Sequence, residues 1–267
     1  MAKIIPLFSG SKGNSYFIGC GSKGILIDAG RSAKQLCEAL SHYNINPDCL
    51  EAILITHEHI DHIKGLRVFA SNCHVPVYMS YGTSEQLALD GHLKGVYTEY
   101  LRKDNDVYSS FNTESFNIQP FKTSHDTPES TCYRITDKSG RITALATDLG
   151  YISDTVKENL LGSDAVILES NHDVGMLRNG PYPYLLKRRI LSDTGHLSND
   201  DCSEILPQLV KGGTTRFLLA HLSRENNYPD LAYHCAAAKL QEHGMICDKD
   251  YMLSIAPEDY NGTIIYM

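Results

Sequence analysis

An α/β fold of two mixed sheets with helices outside them is what the sequence predicts, and three observations predict it. Short apolar runs bounded by glycines alternate with stretches of helical spacing. Strands come first, then strands and helices mix, an order that suits layered sheets. No repeat, low-complexity tract or Pro/Ser-rich linker divides the chain, so residues 1–267 are expected to form one domain.

The elements follow in order. Residues 3–8, 15–20 and 24–28 read as strands separated by glycines. Residues 32–43 carry Leu36, Ala39 and Leu40 at helical spacing and stop before Asn44-Ile45-Asn46-Pro47. Residues 52–55 form a strand too apolar to be anything but buried. A helix is expected at 63–71, a strand at 75–79 and a helix at 83–90. The middle is strand-rich, at 115–120, 132–136 and 141–146. A helix at 153–160 and a strand at 165–168 come next, then helices at 181–191, opening on Pro181, and 198–210, with Ser198 as N-cap. A strand at 216–220 and a helix at 230–243 complete the order.

Composition narrows the class. The 267 residues hold 24 Lys+Arg against 32 Asp+Glu, a formal charge of −8, with 42% hydrophobic and 21% charged residues. That profile is globular, neither disordered nor fibrous. No segment approaches the ~18–20 continuous apolar residues of a membrane helix. Pro6 and the polar run at 9–15 break the N-terminal apolar stretch before a signal-peptide core develops. A cytoplasmic protein without a membrane partner is therefore expected. The eight cysteines, at 20, 37, 49, 73, 132, 202, 235 and 247, contain no C-x-x-C, so reduced thiols are expected and a zinc–thiolate site is not. The acidic balance opposes broad nucleic-acid affinity but leaves room for a local basic groove.

The informative segment is Thr56-His57-Glu58-His59-Ile60-Asp61-His62, directly after the strand at 52–55. Imidazole and carboxylate together suit a borderline divalent ion such as zinc, manganese or iron. One ion cannot take all four groups from so tight a turn, whereas two can, with His57 and His59 facing one way and Asp61 and His62 the other. Glu58 reads as a neighbour of the ligands. Four later positions share the context of a strand end or a loop of small polar residues: His125 in Thr-Ser-His-Asp, Asp148 in Ala-Thr-Asp-Leu-Gly, His196 in Gly-His-Leu-Ser and His221 in Ala-His-Leu-Ser.

His57-x-His59-x-Asp61-His62 followed by His125, Asp148 and His221 resembles the metallo-β-lactamase superfamily over nearly the whole chain. The resemblance implies a four-layer αββα sandwich with the metal site at one edge of the sheets. It assigns His57, His59 and His125 to a first metal, Asp61, His62 and His221 to a second, and Asp148 to both. Ser9-Gly10-Ser11-Lys12-Gly13-Asn14-Ser15, Glu169-Ser170-Asn171-His172-Asp173 and Leu191-Ser192-Asp193-Thr194-Gly195-His196-Leu197-Ser198-Asn199 look like the YycJ/WalJ group, nucleases similar to tRNase Z and to the catalytic domain of RNase J. That likeness implies a 5′-to-3′ DNA exonuclease, with DNA preferred to RNA, supported by manganese, with zinc or iron as alternatives, and with a role in mismatch repair.

Two metals ~3.5–4 Å apart would bind a water between them, lower its pKa and neutralise phosphoryl charge. Asp61 would orient the bridging hydroxide, and the resemblance makes His196 the general acid for the leaving oxygen. Candidate substrate contacts are His172, Lys187 and Arg188, the last two in a basic run with Arg178, Arg189, Tyr182 and Tyr184, and Asn14 and Lys12 in the glycine-rich turn. Within the same fold the alternatives are a cyclic or small-molecule phosphodiesterase, an RNA-directed nuclease, a thioester or β-lactam hydrolase, and a non-catalytic metal-stabilised scaffold. The bridging position of Asp148 opposes a β-lactamase, and the single histidine at His125 opposes a thioester hydrolase.

Overall fold

A computed structural model describes residues 2–267. Strands Ala2–Phe8 (β1), Ser15–Cys20 (β2), Lys23–Ile27 (β3), Leu50–Leu54 (β4), Val77–Met79 (β5) and Thr98–Tyr100 (β6) enter the first sheet. Lys103–Asp104 (β7) and Val107–Tyr108 (β8) form a separate hairpin. Phe111–Asn112 (β9), Phe116–Lys122 (β10), Thr131–Asp137 (β11), Ile142–Ala146 (β12), Ala165–Glu169 (β13), Arg216–Ala220 (β14) and Met252–Ile255 (β15) make the second sheet, and Ile265–Tyr266 (β16) returns to the first. The helices are Ala33–His42 (α1), Ile60–Ile63 (α2), Leu66–Cys73 (α3), Tyr81–Leu89 (α4), Asp154–Leu160 (α5), Val174–Asn179 (α6), Tyr184–Ile190 (α7), Asn199–Lys211 (α8) and Pro229–Glu242 (α9).

Each sheet has seven strands, ordered β16-β1-β2-β3-β4-β5-β6 and β15-β14-β13-β12-β11-β10-β9. Both begin as antiparallel hairpins and continue as parallel strands, from β3 to β6 in the first and from β12 to β15 in the second. Parallel strands require crossovers on the sheet face, which puts helices on the outer layers.

The period-2 pattern sorts the faces. Ile25, Ile27, Ala52 and Leu54 point between the sheets, where they meet Ile118, Tyr133 and Leu145. The alternate residues Leu26, Ile53 and Ile55 point outward and are covered by Leu36 and Leu40 of α1 and Phe69 of α3. Every one of these side chains is 0–1% exposed, so fully burying each of the Ile, Leu and Phe side chains contributes about 1.5–3 kcal/mol. The four-layer sandwich expected from the sequence is the architecture observed. Among the described residues no helix is long and apolar enough to cross a membrane, and all eight cysteines are free.

Two expected segments differ. The helix expected at 63–71 is two pieces, α2 and α3, because the Gly65 amide donates to the Ala29 carbonyl (2.8 Å) and the Asp61 carbonyl four residues back accepts the Asn14 amide instead. The helix expected to open on Pro181 instead begins at Tyr184, since Pro183 takes the N-cap position with a ψ of 147°, outside the helical range.

The parallel strands deliver their C-terminal ends to one edge. Asp28 after β3, Asp148 after β12 and His221 after β14 all sit in the left-handed region, with φ of 60°, 59° and 57°. Non-glycine residues visit that region rarely, at a cost of order 1 kcal/mol, and sharp turns of this kind concentrate at functional sites. Three loops interlock there through backbone bonds: the Asn14 amide donates to the Asp61 carbonyl (2.7 Å), Gly30 to Asn14 (2.9 Å) and Ala29 to His62 (2.7 Å). A Cβ on Gly30 would stand 1.8 Å from the Asp61 carbonyl oxygen, so only glycine permits this approach.

Candidate metal centre

The edge gathers side chains from both sheets. His57 and His59 come from the loop after β4, Asp61 and His62 from the adjoining α2, His125 from the β10–β11 loop, Asp148 from the end of β12 and His221 from the end of β14. Three or more potential ligand atoms lie within 4.8 Å of one another in four overlapping sets: His57/His59/His125, His57/His62/Asp148, Asp61/His62/His221 and Asp148/Glu169/His196/His221. Asp148 belongs to two sets and reaches from one histidine cluster to the other. Its Oδ2 is 3.4 Å from His62 Nε2, and its Oδ1 is 3.8 Å from His125 Nε2 and 3.5 Å from His221 Nδ1.

Four imidazoles are each held at Nδ1 by a hydrogen-bond partner. His57 Nδ1 meets the Thr56 hydroxyl (3.0 Å), His62 Nδ1 donates to Asp28 Oδ2 (2.8 Å), His125 Nδ1 to the Gly195 carbonyl (3.1 Å) and His221 Nδ1 to Glu169 Oε1 (2.9 Å). This fixes ring orientation and turns each Nε2 inward, the way metal-binding histidines are supported. Asp28 is fixed in turn by the backbone N–H and hydroxyl of Thr56.

The donor set fits divalent cations. His57 Nε2, His221 Nε2 and Asp148 Oδ2 are buried without a hydrogen-bond partner among the described residues, a costly condition that a bound cation would relieve. Burial and the surrounding rings push His57 well below the ordinary imidazole range, and burial together with its neighbours lowers His59 and His125. These shifts favour the neutral imidazole, the form that binds metal. Burial opposes charge on His62, but Asp148, Asp28 and Asp61 outweigh it and raise the ring to about 9. His221 is raised well above its usual range by Asp148, Asp61 and Glu169 against the same burial. Burial likewise opposes ionisation of Asp61, Asp148 and Glu169, yet the histidines beside them hold all three below the usual carboxylate range. Positive charge is what this cage of carboxylates demands.

His196 joins the cluster from the loop before α8. Its Nδ1 donates to Glu169 Oε1 (2.8 Å), and the ring lines a cleft of about 240 Å³ with Asp61, His59, Tyr182 and Arg189. Glu169 and Asp28 are the two residues that sequence reasoning missed as functional. Both are 0% exposed and each braces one or two of the histidines. The available signal was a lone acid closing a fully apolar strand, Gly24–Asp28 and Ala165–Glu169.

The expected substrate contacts are placed differently. Asn14 is 1% exposed, and its Nδ2 approaches His62 Nε2 (3.1 Å) and Asp61 Oδ2 (3.4 Å), so it steadies those side chains and is too deep to meet a substrate. His172 is buried, its ring absent from the ligand sets and from the cleft. Lys187 Nζ donates to the carbonyls of Arg178 (2.9 Å) and Gly180 (2.7 Å), tying down the end of α6. Arg188 lies over the exposed Tyr184 ring and away from the cleft. Arg189, one helical step on, is the basic residue of α7 that lines it, held there by Asp126. Lys12 is exposed, and Glu58 is half-buried against the Thr83 hydroxyl, outside the ligand sets.

A β-lactamase superfamily domain model matches residues 23–222, three-quarters of the chain and every ligand candidate. The chain belongs to the β-lactamase superfamily. It is 38% identical over 240 residues to the exodeoxyribonuclease YycJ of Bacillus anthracis, covering 89% of each protein. It is also 38% identical over 234 residues to the exodeoxyribonuclease WalJ of Streptococcus pneumoniae, covering 86% of this chain and 85% of the relative. Among solved structures, the metallo-β-lactamase fold protein YhfI of Bacillus subtilis superposes with a TM-score of 0.71 at 18% identity, covering 99% of this chain and 98% of that one. Human tRNase Z, short form, superposes with a TM-score of 0.65 at 16% identity, with the same coverage. These superpositions establish the metallo-β-lactamase fold. The superfamily and the histidine–carboxylate cluster together make this chain a metal-dependent hydrolase.

Proposed function

We propose that the chain is a cytoplasmic 5′-to-3′ DNA exonuclease, a two-metal phosphodiesterase whose residues 1–267 act as one catalytic domain. The observation that carries the reading is the convergence of seven side chains, His57, His59, Asp61, His62, His125, Asp148 and His221, at one sheet edge. The exodeoxyribonuclease relatives supply the substrate.

In this reading His57, His59 and His125 hold one divalent ion, Asp61, His62 and His221 the other, and Asp148 contributes to both. Manganese is the proposed metal, and the same nitrogen and oxygen donors also accept zinc or iron. When bound, such a pair activates water at neutral pH and offsets charge on the phosphoryl oxygens. The chain's own residues do the positioning. Asp28, Thr56, Glu169 and the Gly195 carbonyl keep the rings in place before substrate arrives. Arg189 lines the cleft while paired with Asp126, and a backbone phosphate entering there competes with that carboxylate for the guanidinium. His196, with Nδ1 committed to Glu169, keeps Nε2 for a proton that it gives to the departing oxygen.

The test is degradation of 3′-labelled and 5′-labelled DNA, single-stranded and duplex, beside matched RNA, with manganese, magnesium or zinc added. The expected result is immediate release of the 5′ label as a short product and stepwise shortening of the 3′-labelled strand. Activity no greater than that of a His57→Ala/His59→Ala variant with every metal would overturn the reading. The mismatch-repair role belongs to the same proposal, and deletion of the gene is expected to raise the spontaneous mutation rate.

A further inference from the structure

A second cavity, of about 460 Å³, opens beside the metal cleft. The two share Ser11 and Ser223 as a common wall, so a molecule held at the cluster extends directly into the larger space. The wall is built onto the metal centre itself. Ser9 Oγ accepts the His221 amide at 2.8 Å, and Leu222, the next residue, lines the cavity. Gly10, at φ 122°, lets the turn press against this strand, since a Cβ there would stand 3.2 Å from the Leu222 carbonyl oxygen.

The lining indicates what the cavity takes. Leu222, Ile255, Ala256 and Pro257 supply an apolar surface. Arg224 is the only cation among the lining residues, and Glu258 neutralises it through contacts of 2.7 and 2.8 Å. An uncharged, largely apolar pocket is unsuited to phosphate and suited to an aromatic ring. At the mouth Tyr228, 51% exposed, presents a ring that the core does not use. The volume lies within the about 300–1,000 Å³ of small-molecule sites and is ample for one splayed nucleoside.

We infer that this pocket receives the nucleobase adjoining the scissile phosphodiester, stacked on Tyr228, and that the enzyme therefore engages an unpaired end. The inference rests on the phosphodiesterase reading of the neighbouring cleft. Sequence-tolerant stacking on an aromatic side chain is how proteins hold single strands without reading bases. A duplex must fray before its terminal base enters.

The test compares wild type, Tyr228→Ala and Tyr228→Phe on a single-stranded oligonucleotide and on one whose two terminal nucleotides at the attacked end are abasic. Bis-p-nitrophenyl phosphate, which has no nucleobase, reports on the metal centre of the wild type. Melting curves confirm that the variants fold. On the intact strand Tyr228→Ala is expected to raise KM about tenfold, the scale of a lost aromatic stack, and Tyr228→Phe to restore it. The abasic strand should raise wild-type KM by a similar factor, and Tyr228→Ala should add nothing further. A penalty that persists undiminished on the abasic strand, or that is absent on the intact one, overturns the pocket assignment alone. Wild type that hydrolyses bis-p-nitrophenyl phosphate but neither oligonucleotide overturns the nuclease reading, and the nucleobase pocket falls with it.

Discussion

Glu169 Oε1 accepts a hydrogen bond from His196 Nδ1 at 2.8 Å, with the carboxylate fully buried. The same oxygen holds His221 Nδ1 at 2.9 Å, and the carboxylate's other oxygen accepts the amides of Leu149 (2.7 Å) and Leu197 (3.2 Å). One side chain thus couples the proposed proton donor to a proposed metal ligand. Glu169→Gln keeps the shape but removes the charge. We expect it to lower kcat on a phosphodiester by about 10–100-fold even at saturating metal, the usual cost of disturbing the groups that orient metal-binding histidines. Turnover within twofold of wild type would mean that His196 and His221 do not need this anchor.

Arg189 and Lys187 share helix α7 yet face different tasks. Arg189 lines the cleft, whereas Lys187 is consumed by the Arg178 and Gly180 carbonyls. Arg189→Ala is expected to weaken binding to single-stranded DNA and to reduce the slope of log affinity against log salt by about 1, the signature of one phosphate contact. Lys187→Ala should leave that slope unchanged and lower the melting temperature. Equal slopes for Arg189→Ala and wild type, measured by fluorescence anisotropy across a salt series, would remove Arg189 from the substrate path.

Glu129 links three segments at the rim of the first sheet. It accepts the Gly82 amide in the first turn of α4 (2.7 Å) and the Tyr108 hydroxyl (2.7 Å), and it pairs with Lys103. Burial works against its ionisation, but Lys103, the Gly82 amide and Tyr108 hold its pKa below the ordinary value. A depressed carboxylate contributes stability that is present above its unfolded pKa and lost as pH falls toward its folded one. Glu129→Gln is expected to cost about 1 kcal/mol at pH 7. The melting-temperature gap between variant and wild type should close as pH falls below the usual glutamate range, about 4.3. A gap constant from pH 7 to pH 3 would show that the charge is not what binds these segments.

Much of the fold was legible because it is written in short range. The strands at 15–20 and 216–220 match their expected limits, since each holds three consecutive apolar residues, Tyr16–Ile18 and Phe217–Leu219, in a short run closed by a turn. β6 to β9, β15 and β16 were not expected, because strands of two to four residues at a sheet edge or in a separate hairpin carry little pattern of their own. β16 exists only through its pairing with β1, where Ile265 meets Ile4 across almost the entire chain. The ligand candidates were legible because imidazole and carboxylate crowd into residues 57–62 and recur at strand ends. Glu169 and Asp28 were not, because a single acid after an apolar strand reads as an ordinary strand terminus. The basic run at 187–189 showed that α7 is positive but not which residue meets the cleft. Successive helical residues point about 100° apart, and only packing selects among them.

Seven side chains are proposed to form a cage for two cations, and metal stoichiometry tests this most directly. Protein stripped with chelator, reloaded with manganese, freed of excess ion and analysed by mass spectrometry is expected to retain two equivalents per chain. The His57→Ala/His59→Ala variant should lose at least one of them. Wild-type protein that folds but retains fewer than two equivalents under every loading condition would contradict the account.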